Sequence, residues 1–375
     1  MLSRRYFPYH PKPRPDESLS SWLVRTALGH GKKPFVFCRA VWKGTPIWNR
    51  DIDSPGLVEV YQLMAERMGV SVERAAGTTM RAFEGEMFET CPGPGGGKWV
   101  MPVGVYNGMR RGFGYQFCPL CLWEDEIPYF RRTWRFAWVT VCLRHGQRLR
   151  DRCPDCGQPV TLHRAPSIAT CFNCGTDYRE AEGLSINSEA MALQTHAETV
   201  LDQGWAIWCG WAFQRPFLYF QLLHRVSRVL CGRRSLELRS YVADRWGGDP
   251  SLAERLPRAE VEYFSAESRH KLMQLAFHLM ADWPERFIEA CNGAGIWWSW
   301  ARKCDVDPDL PFAFAFPLKA ALYNRAYLPN EDETRSAVLY LIKIGKYPSR
   351  KRLLKILGTS THLKSVVRSL GVGES

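Results

Sequence analysis

Apolar residues recur at helical spacing through most of the chain. Leu19, Trp22 and Leu23 share one face of a first helix, and Ser18 lies where its N-cap would be. The same periodicity predicts helices over 188–201, with Ser188 as the cap, and over 216–230, 236–246 and 265–283. Six aromatic residues further on are predicted to fill the core between such helices: Trp297, Trp298, Trp300, Phe312, Phe314 and Phe316. This pattern predicts a mainly α-helical chain.

The periodicity changes in the middle of the chain. Phe130, Trp134, Phe136 and Trp138 fall in one phase of a two-residue alternation. Such alternation is typical of a strand with one buried face, so we predict a strand over 128–141.

Two groups of short predicted helices have the spacing of helix-turn-helix motifs. In residues 54–84, Gly69 and Val70 separate two helices, and an ordinary helical hairpin is an equally good interpretation. Near the C-terminus, helices are predicted over 333–344, 349–357 and 360–370, with short turns between them. From Arg335 to Leu370 this second segment carries nine basic residues and no acidic one: Arg335, Lys343, Lys346, Arg350, Lys351, Arg352, Lys355, Lys364 and Arg368. They are our candidate nucleic-acid-binding residues; the alternative is a solvated basic bundle.

Eight potential metal ligands lie between residues 118 and 174 in four pairs. They are Cys118 with Cys121, Cys142 with His145, Cys153 with Cys156, and Cys171 with Cys174. Two residues separate the members of each pair, a spacing that lets both side chains reach one tetrahedral ion. We therefore predict two structural Zn²⁺ ions, one held by three cysteines and a histidine and the other by four cysteines. The two ligand pairs that share an ion could be consecutive along the chain or interleaved. Both arrangements remain open, because loop-closure entropy depends too weakly on loop length to favour either.

Composition suggests a polyanionic partner. The chain has 375 residues, is 46% hydrophobic and carries a formal net charge of +12 with a pI near 9.2. Such a basic balance favours nucleic acid, although a merely solvated basic surface would look the same. No secretory signal is expected at the start, and the most apolar window, 205–213, is too short to span a bilayer. We therefore expect no membrane partner. Six cysteines outside the pairs show no paired spacing and are expected to be free thiols in a reducing cytoplasm: Cys38, Cys91, Cys209, Cys231, Cys291 and Cys304.

The expected organisation is multi-domain. We predict a helical N-terminal unit over 1–112, a double zinc-binding module with short β-hairpins over 113–182, and a helical domain over 183–330. A basic segment resembling a helix-turn-helix occupies 331–375.

Enzymatic chemistry finds no support in the motifs. The chain has no HExxH, no phosphate-binding loop and no nucleophile elbow. Two four-ligand zinc sites would leave no open position to activate water. A scattered set of acidic residues is the only form of active site left open, so we expect a non-catalytic adaptor that contacts DNA and protein.

Five segments resemble the TniQ/TnsD family, in the family's order. They are Pro15-Asp-Glu-Ser-Leu-Ser-Ser-Trp-Leu-Val-Arg25, Phe117-Cys-Pro-Leu-Cys-Leu122, Pro128-Tyr-Phe-Arg131, Cys142-Leu-Arg-His-Gly146 and Cys153-Pro-Asp-Cys-Gly157, and the dipeptide Trp134-Arg135 follows the third of them. The similarity extends from about residue 10 to 182. It implies that the eight ligands form sequential sites, and it implies target-site selection in the transposition of Tn-type elements.

Members of this family do not cut or join DNA, and the resemblance implies recruitment of an AAA+ ATPase regulator that engages the transposase. Two modes are implied. A TniQ-like chain docks as a homodimer on a CRISPR RNA-guided effector, whereas a TnsD-like chain binds a DNA attachment site directly. A length of 375 residues favours the adaptor mode, while the basic C-terminal segment favours direct DNA binding.

Overall fold

A computed structural model describes residues 6–54, 56–91, 97–106, 109–110, 112–232, 235–252, 260–302, 310–322 and 329–358. The helices of these residues are α1 Leu19–Gly29, α2 Pro34–Val41, α3 Val58–Met68, α4 Val72–Ala76, α5 Pro119–Glu124, α6 Ser188–Gln203, α7 Pro216–Cys231, α8 Leu236–Trp246, α9 Ala266–Met280, α10 Glu285–Gly293, α11 Trp298–Ala301, α12 Phe312–Ala321, α13 Glu331–Lys343 and α14 Arg350–Ile356. Three antiparallel hairpins accompany them: β1 Val105–Tyr106 with β2 Met109–Arg110, β3 Val141–Cys142 with β4 Gln147–Arg148, and β5 Ala206–Trp208 with β6 Trp211–Phe213. The prediction of a mainly helical chain with short hairpins is confirmed.

Local sequence accounts for most helix boundaries. The Ser18 hydroxyl accepts the backbone N–H of Ser21 and so caps α1, as predicted. The cap of α6 was placed one residue too late. Asn187 has the extended backbone, and its side chain accepts the N–H of Ala190, which leaves Ser188 as the first helical residue.

The strand predicted over 128–141 is wrong. Residues 128–140 form a 3-10 turn at Thr133–Arg135 and only isolated bridges at Arg131 and Phe136. The four aromatic rings are nevertheless buried, with at most 5% of any side chain exposed. This segment makes backbone hydrogen bonds first to residues near Asp16 and then to Trp99 and Met101, so no single partner strand runs beside it.

The aromatic residues near the end of the helical half are only partly core. Phe314 is buried against Trp283 and Phe287, as predicted. Phe312 and Phe316 are 69% and 65% exposed, and Trp297 is 43% exposed, so their assignment to the core is wrong. Helix α12 therefore has two opposite apolar faces. Among the described residues, the face with Phe314 is buried, whereas Phe312 and Phe316 lie beside the Trp211 ring and stay largely exposed.

One hydrophobic core continues from Leu19 to Leu322. Buried polar side chains connect its parts: Arg269 of α9 donates to the Ala137 carbonyl and to the Gln116 side chain, at 3.2 and 3.1 Å. Gln194 of α6 bonds to the backbone of Val141 in both directions. A separate small core unites α13 and α14 through Ala337, Leu341 and Leu353. The domain boundaries at 112, 182 and 330 stay predictions.

The two helix-turn-helix interpretations also stay predictions. In the first, α3 and α4 pack together, but α4 has five residues, which is short for a helix that reads a DNA groove. In the second, the bounds of α13 and α14 agree within two residues with the predicted helices 333–344 and 349–357. The third predicted helix, 360–370, lies outside the described residues.

Candidate metal centres and the segments that hold them

The first cluster joins the start of α5 to the β3–β4 turn. Cys118 is the N-cap of α5, and Cys121 lies one turn later. Cys142 ends β3, and His145 follows in the turn. The Nδ1 atom of His145 lies 3.3, 3.3 and 3.4 Å from the Sγ atoms of Cys118, Cys121 and Cys142. A tetrahedral ion with metal–sulfur bonds of about 2.3 Å needs ligand separations of this order, about 3.5–3.8 Å.

Polar neighbours orient these ligands. The other ring nitrogen of His145, Nε2, lies 2.9 Å from the Glu124 carboxylate, which also pairs with Arg144 at 2.6 Å. A carboxylate on the distal nitrogen fixes the histidine tautomer and leaves Nδ1 free to bind a metal ion. The side-chain amide of Gln147 donates to the Cys118 sulfur at 2.8 Å, which suits a thiolate. These contacts fit a bound ion.

The second cluster is built from two tight turns with no helix. Cys153 and Cys174 have Sγ atoms 3.5 Å apart, and those of Cys156 and Cys171 are 3.6 Å apart. A backbone N–H at Asn173 points to the Cys171 sulfur at 3.4 Å. The Cys174 sulfur is the exposed corner, and the Thr176 hydroxyl lies 2.9 Å from it.

In each cluster the four ligand atoms lie within 4.8 Å of one another, so the two clusters could hold two metal ions. The grouping follows chain order and does not interleave the pairs. Four protein ligands at each site would complete a tetrahedral shell, which is the arrangement of structural and not of catalytic sites.

Residues 15–25, the opening segment, fasten onto residues 128–135, the arginine segment. The backbone N–H of Ser18 donates to the Phe130 carbonyl at 2.9 Å, and the N–H of Phe130 donates to the Ser21 hydroxyl at 3.0 Å. Within the opening segment, the buried Glu17 carboxylate accepts two hydrogen bonds from Arg25, both at 2.8 Å. The residues of both segments that resemble the family motifs thus hold the two segments together.

Two arginines of the arginine segment extend this contact. Arg132 pairs with Asp16 at 3.2 Å. Arg135, 1% exposed, pairs with Asp51 at 2.6 Å and with Asp53 at 2.8 Å. Burial alone would lower the pKa of the Arg135 guanidinium, but the charge and hydrogen bonds of Asp51, with the charge of Asp53, raise that pKa above its ordinary value. Sequence reasoning missed this network because Arg135 is 84 and 82 residues from its partners.

The candidate nucleic-acid-binding residues lie on α13, on α14 and in the turn between them. Six of them have exposed side chains: Arg335, Lys343, Lys346, Lys351, Arg352 and Lys355. Within residues 329–358, none of these six forms an ion pair with an acidic side chain. The Arg350 side chain, Lys364 and Arg368 lie outside what the structure describes. The structure also places Ile344 and Tyr347 at the surface of the same turn, 43% and 53% exposed.

None of the described helices combines the length and apolarity that a membrane span requires.

Together, fold and site define a helical protein with two sets of four side chains that could each hold a metal ion. Residues 8–149 match the TniQ family, so the chain carries a TniQ domain and the resemblance is confirmed over those residues. The match includes the opening segment and the first cluster and ends before Cys153 of the second. No curated protein matches the chain. A TniQ domain implies a role in transposition target selection, and TniQ proteins are non-catalytic accessories of transposition that work with Tns-type partners and DNA.

Proposed function

We propose that the chain is a non-catalytic adaptor that links a target-recognition complex to the AAA+ ATPase regulator of a DNA transposon. The TniQ domain over residues 8–149 carries this proposal. In its adaptor mode the chain works in the cytoplasm as a homodimer on a CRISPR RNA-guided effector. The buried ion pairs Glu17–Arg25 and Asp53–Arg135, together with the contact of Asp16 with Arg132, support a rigid platform for partners.

The two clusters each bind one structural Zn²⁺ ion in this proposal. Thiolate and imidazole donors in sets of four are the ligands that zinc prefers in such sites. The ligands are Cys118, Cys121, Cys142 and His145 for one ion and Cys153, Cys156, Cys171 and Cys174 for the other. Bound zinc would cross-link segments that have little regular structure of their own.

Replacing Glu124 with Gln should weaken metal binding at the first cluster. The change removes the negative charge that faces His145 Nε2 and pairs with Arg144. We expect affinity for the first ion to fall about 10–100-fold, as such outer contacts typically contribute. Competition with a chromophoric chelator measures this. Glu126→Gln is the matched control because Glu126 is exposed and contacts only Arg14 among the described residues. An equal effect of both variants would contradict an orienting role for Glu124.

A TnsD-like protein that binds a DNA attachment site directly is the alternative function. The exposed lysines and arginines of α13 and α14, without acidic partners in residues 329–358, favour it. Such a surface suits phosphate contacts, which supply affinity and strong salt dependence.

Neutralising this surface should weaken DNA binding without unfolding the protein. The triple variant Arg350→Ala, Lys351→Ala, Arg352→Ala removes basic side chains from α14. We expect the slope of log K against log salt to become shallower by about one for each phosphate group that the variant no longer binds. Fluorescence anisotropy with labelled duplex measures it. The control removes three exposed basic side chains elsewhere: Arg215, Arg302 and Lys319. Unchanged binding by the α14 variant would remove this surface as a DNA contact.

One binding experiment separates the adaptor from the direct reader. A direct reader, purified alone, retains its specific duplex over competitor DNA at moderate salt. An adaptor shows little sequence preference alone and co-purifies with the ATPase regulator or with the effector. We expect the second outcome, and specific retention of one duplex by the isolated chain would establish the alternative.

A further inference from the structure

A cavity of about 390 Å³ opens between the N-terminal helices and the region of the second cluster. Helix α2 and the 3-10 turn Ile47–Asn49 form most of its wall, and Arg164 closes it from the other side. Its volume lies in the range of small-molecule sites, about 300–1,000 Å³. None of the eight metal ligands lines it.

Three aromatic side chains belong to the wall. Trp42 and Trp48 are 7% and 2% exposed and are therefore fixed in place, while Phe35 stands at the rim, 42% exposed. Trp48 is held from behind by a stacking contact with His163, with ring centroids 4.8 Å apart. The two tryptophans leave little of their surface open to the cavity, so the Phe35 ring is the aromatic face on which a planar ligand could stack.

The polar groups of the cavity are donors. Arg39 and Arg164 both line it, and no Asp or Glu does. The Nε of Arg164 and the indole Nε1 of Trp42 are buried and have no hydrogen-bond partner among the described residues. The Arg164 guanidinium lies over the Phe172 ring, at 5.7 Å, and makes no ion pair in the described chain. Two guanidinium groups with no acidic residue in the lining favour a ligand that is anionic and rich in acceptors.

We propose that this cavity binds a nucleoside phosphate, with the base against Phe35 and the phosphate at Arg39 and Arg164. A guanidinium group can donate two parallel hydrogen bonds to a phosphate, and an aromatic side chain can stack on any of the bases. An acidic peptide would use the arginines but would leave the exposed Phe35 ring without a planar partner. The ligand is either a free nucleotide or one unpaired nucleotide of a strand, since both present the same base and phosphate. This inference does not depend on the adaptor function.

The test compares strands with and without bases. The full-length chain is titrated with fluorescein-labelled single-stranded DNA or RNA, and with an abasic strand of equal length and charge. We expect the base-containing strand to bind at least about fivefold tighter, because one stacked base supplies a factor of this size. The double variant Arg39→Gln, Arg164→Gln should remove this preference. Arg50→Gln, an exposed arginine next to the cavity that does not line it, should preserve it.

Mononucleotides decide the source of the ligand. If AMP or UMP alone binds by calorimetry and competes with the strand, the ligand is a free nucleotide; if only the strand binds, the site takes a nucleotide within a strand. Equal binding of abasic and base-containing strands with no binding of mononucleotides would overturn the proposal. Binding of an acidic aromatic peptide that depends on Arg39, with no nucleotide binding, would overturn it as well.

Discussion

Chelation of the bound ions should unfold residues 113–182 and abolish partner recruitment. Between Glu124 and Ser188 the only regular structure is the β3–β4 hairpin and two 3-10 turns, so few backbone hydrogen bonds would hold this region without metal. In small modules of this type the free energy of metal binding is largely the free energy of folding. Circular dichroism and limited proteolysis measure the loss of structure, and a pull-down of the AAA+ regulator measures the loss of recruitment.

Single substitutions provide the matched control for chelation. Cys171→Ser removes one buried ligand of the second cluster and should reproduce much of the effect. Cys209→Ser makes the same chemical change at an exposed cysteine outside both clusters and should leave fold and recruitment unchanged. A chelated chain that kept its protease resistance and its partners would show that the ligands do not hold the module together.

Arg135→Met should strongly destabilise the whole protein. The substitution keeps much of the side-chain volume but leaves the buried Asp53 and the half-buried Asp51 without their cation. Removing one partner of a buried ion pair typically costs about 3–5 kcal/mol. Urea unfolding, followed by tryptophan fluorescence, gives the change in the free energy of unfolding.

The control for Arg135 is an arginine in a surface pair. Arg81 lies 3.8 Å from Glu84, and both side chains are more than 40% exposed. Arg81→Met should change the free energy of unfolding by less than about 1 kcal/mol. If Arg135→Met were as mild as Arg81→Met, the contact of Arg135 with Asp51 and Asp53 would not be a main support of the fold.

The spacing of residues along the chain predicted the groupings whose members are close in sequence. Each ligand pair lies within one turn, so Cys118 and Cys121 could be assigned together from sequence. The helices α7 and α8 were likewise predicted from periodicity within two residues. The contacts of Asp51 and Asp53 with Arg135 could not be predicted, because only the packing of the N-terminal helices on the arginine segment brings them together.

Burial was predicted better than the backbone path that produces it. Phe136 and Trp138 are core residues as expected, yet they belong to an irregular segment whose hydrogen-bond partners change every few residues. The opposite error occurred at Phe312 and Phe316, which were predicted to be buried because they are large and apolar but lie at the surface. An apolar run alone does not reveal whether a second layer covers it, since that depends on the number of elements that pack there.

The most direct measurement is a reconstituted transposition reaction that contains the transposase and the AAA+ regulator, with and without this chain. We expect its omission to abolish insertion at the chosen target, while the isolated chain with Mg²⁺ neither cuts nor joins DNA. An unchanged distribution of insertions without the chain, or strand cleavage by the chain alone, would contradict a non-catalytic role in target selection.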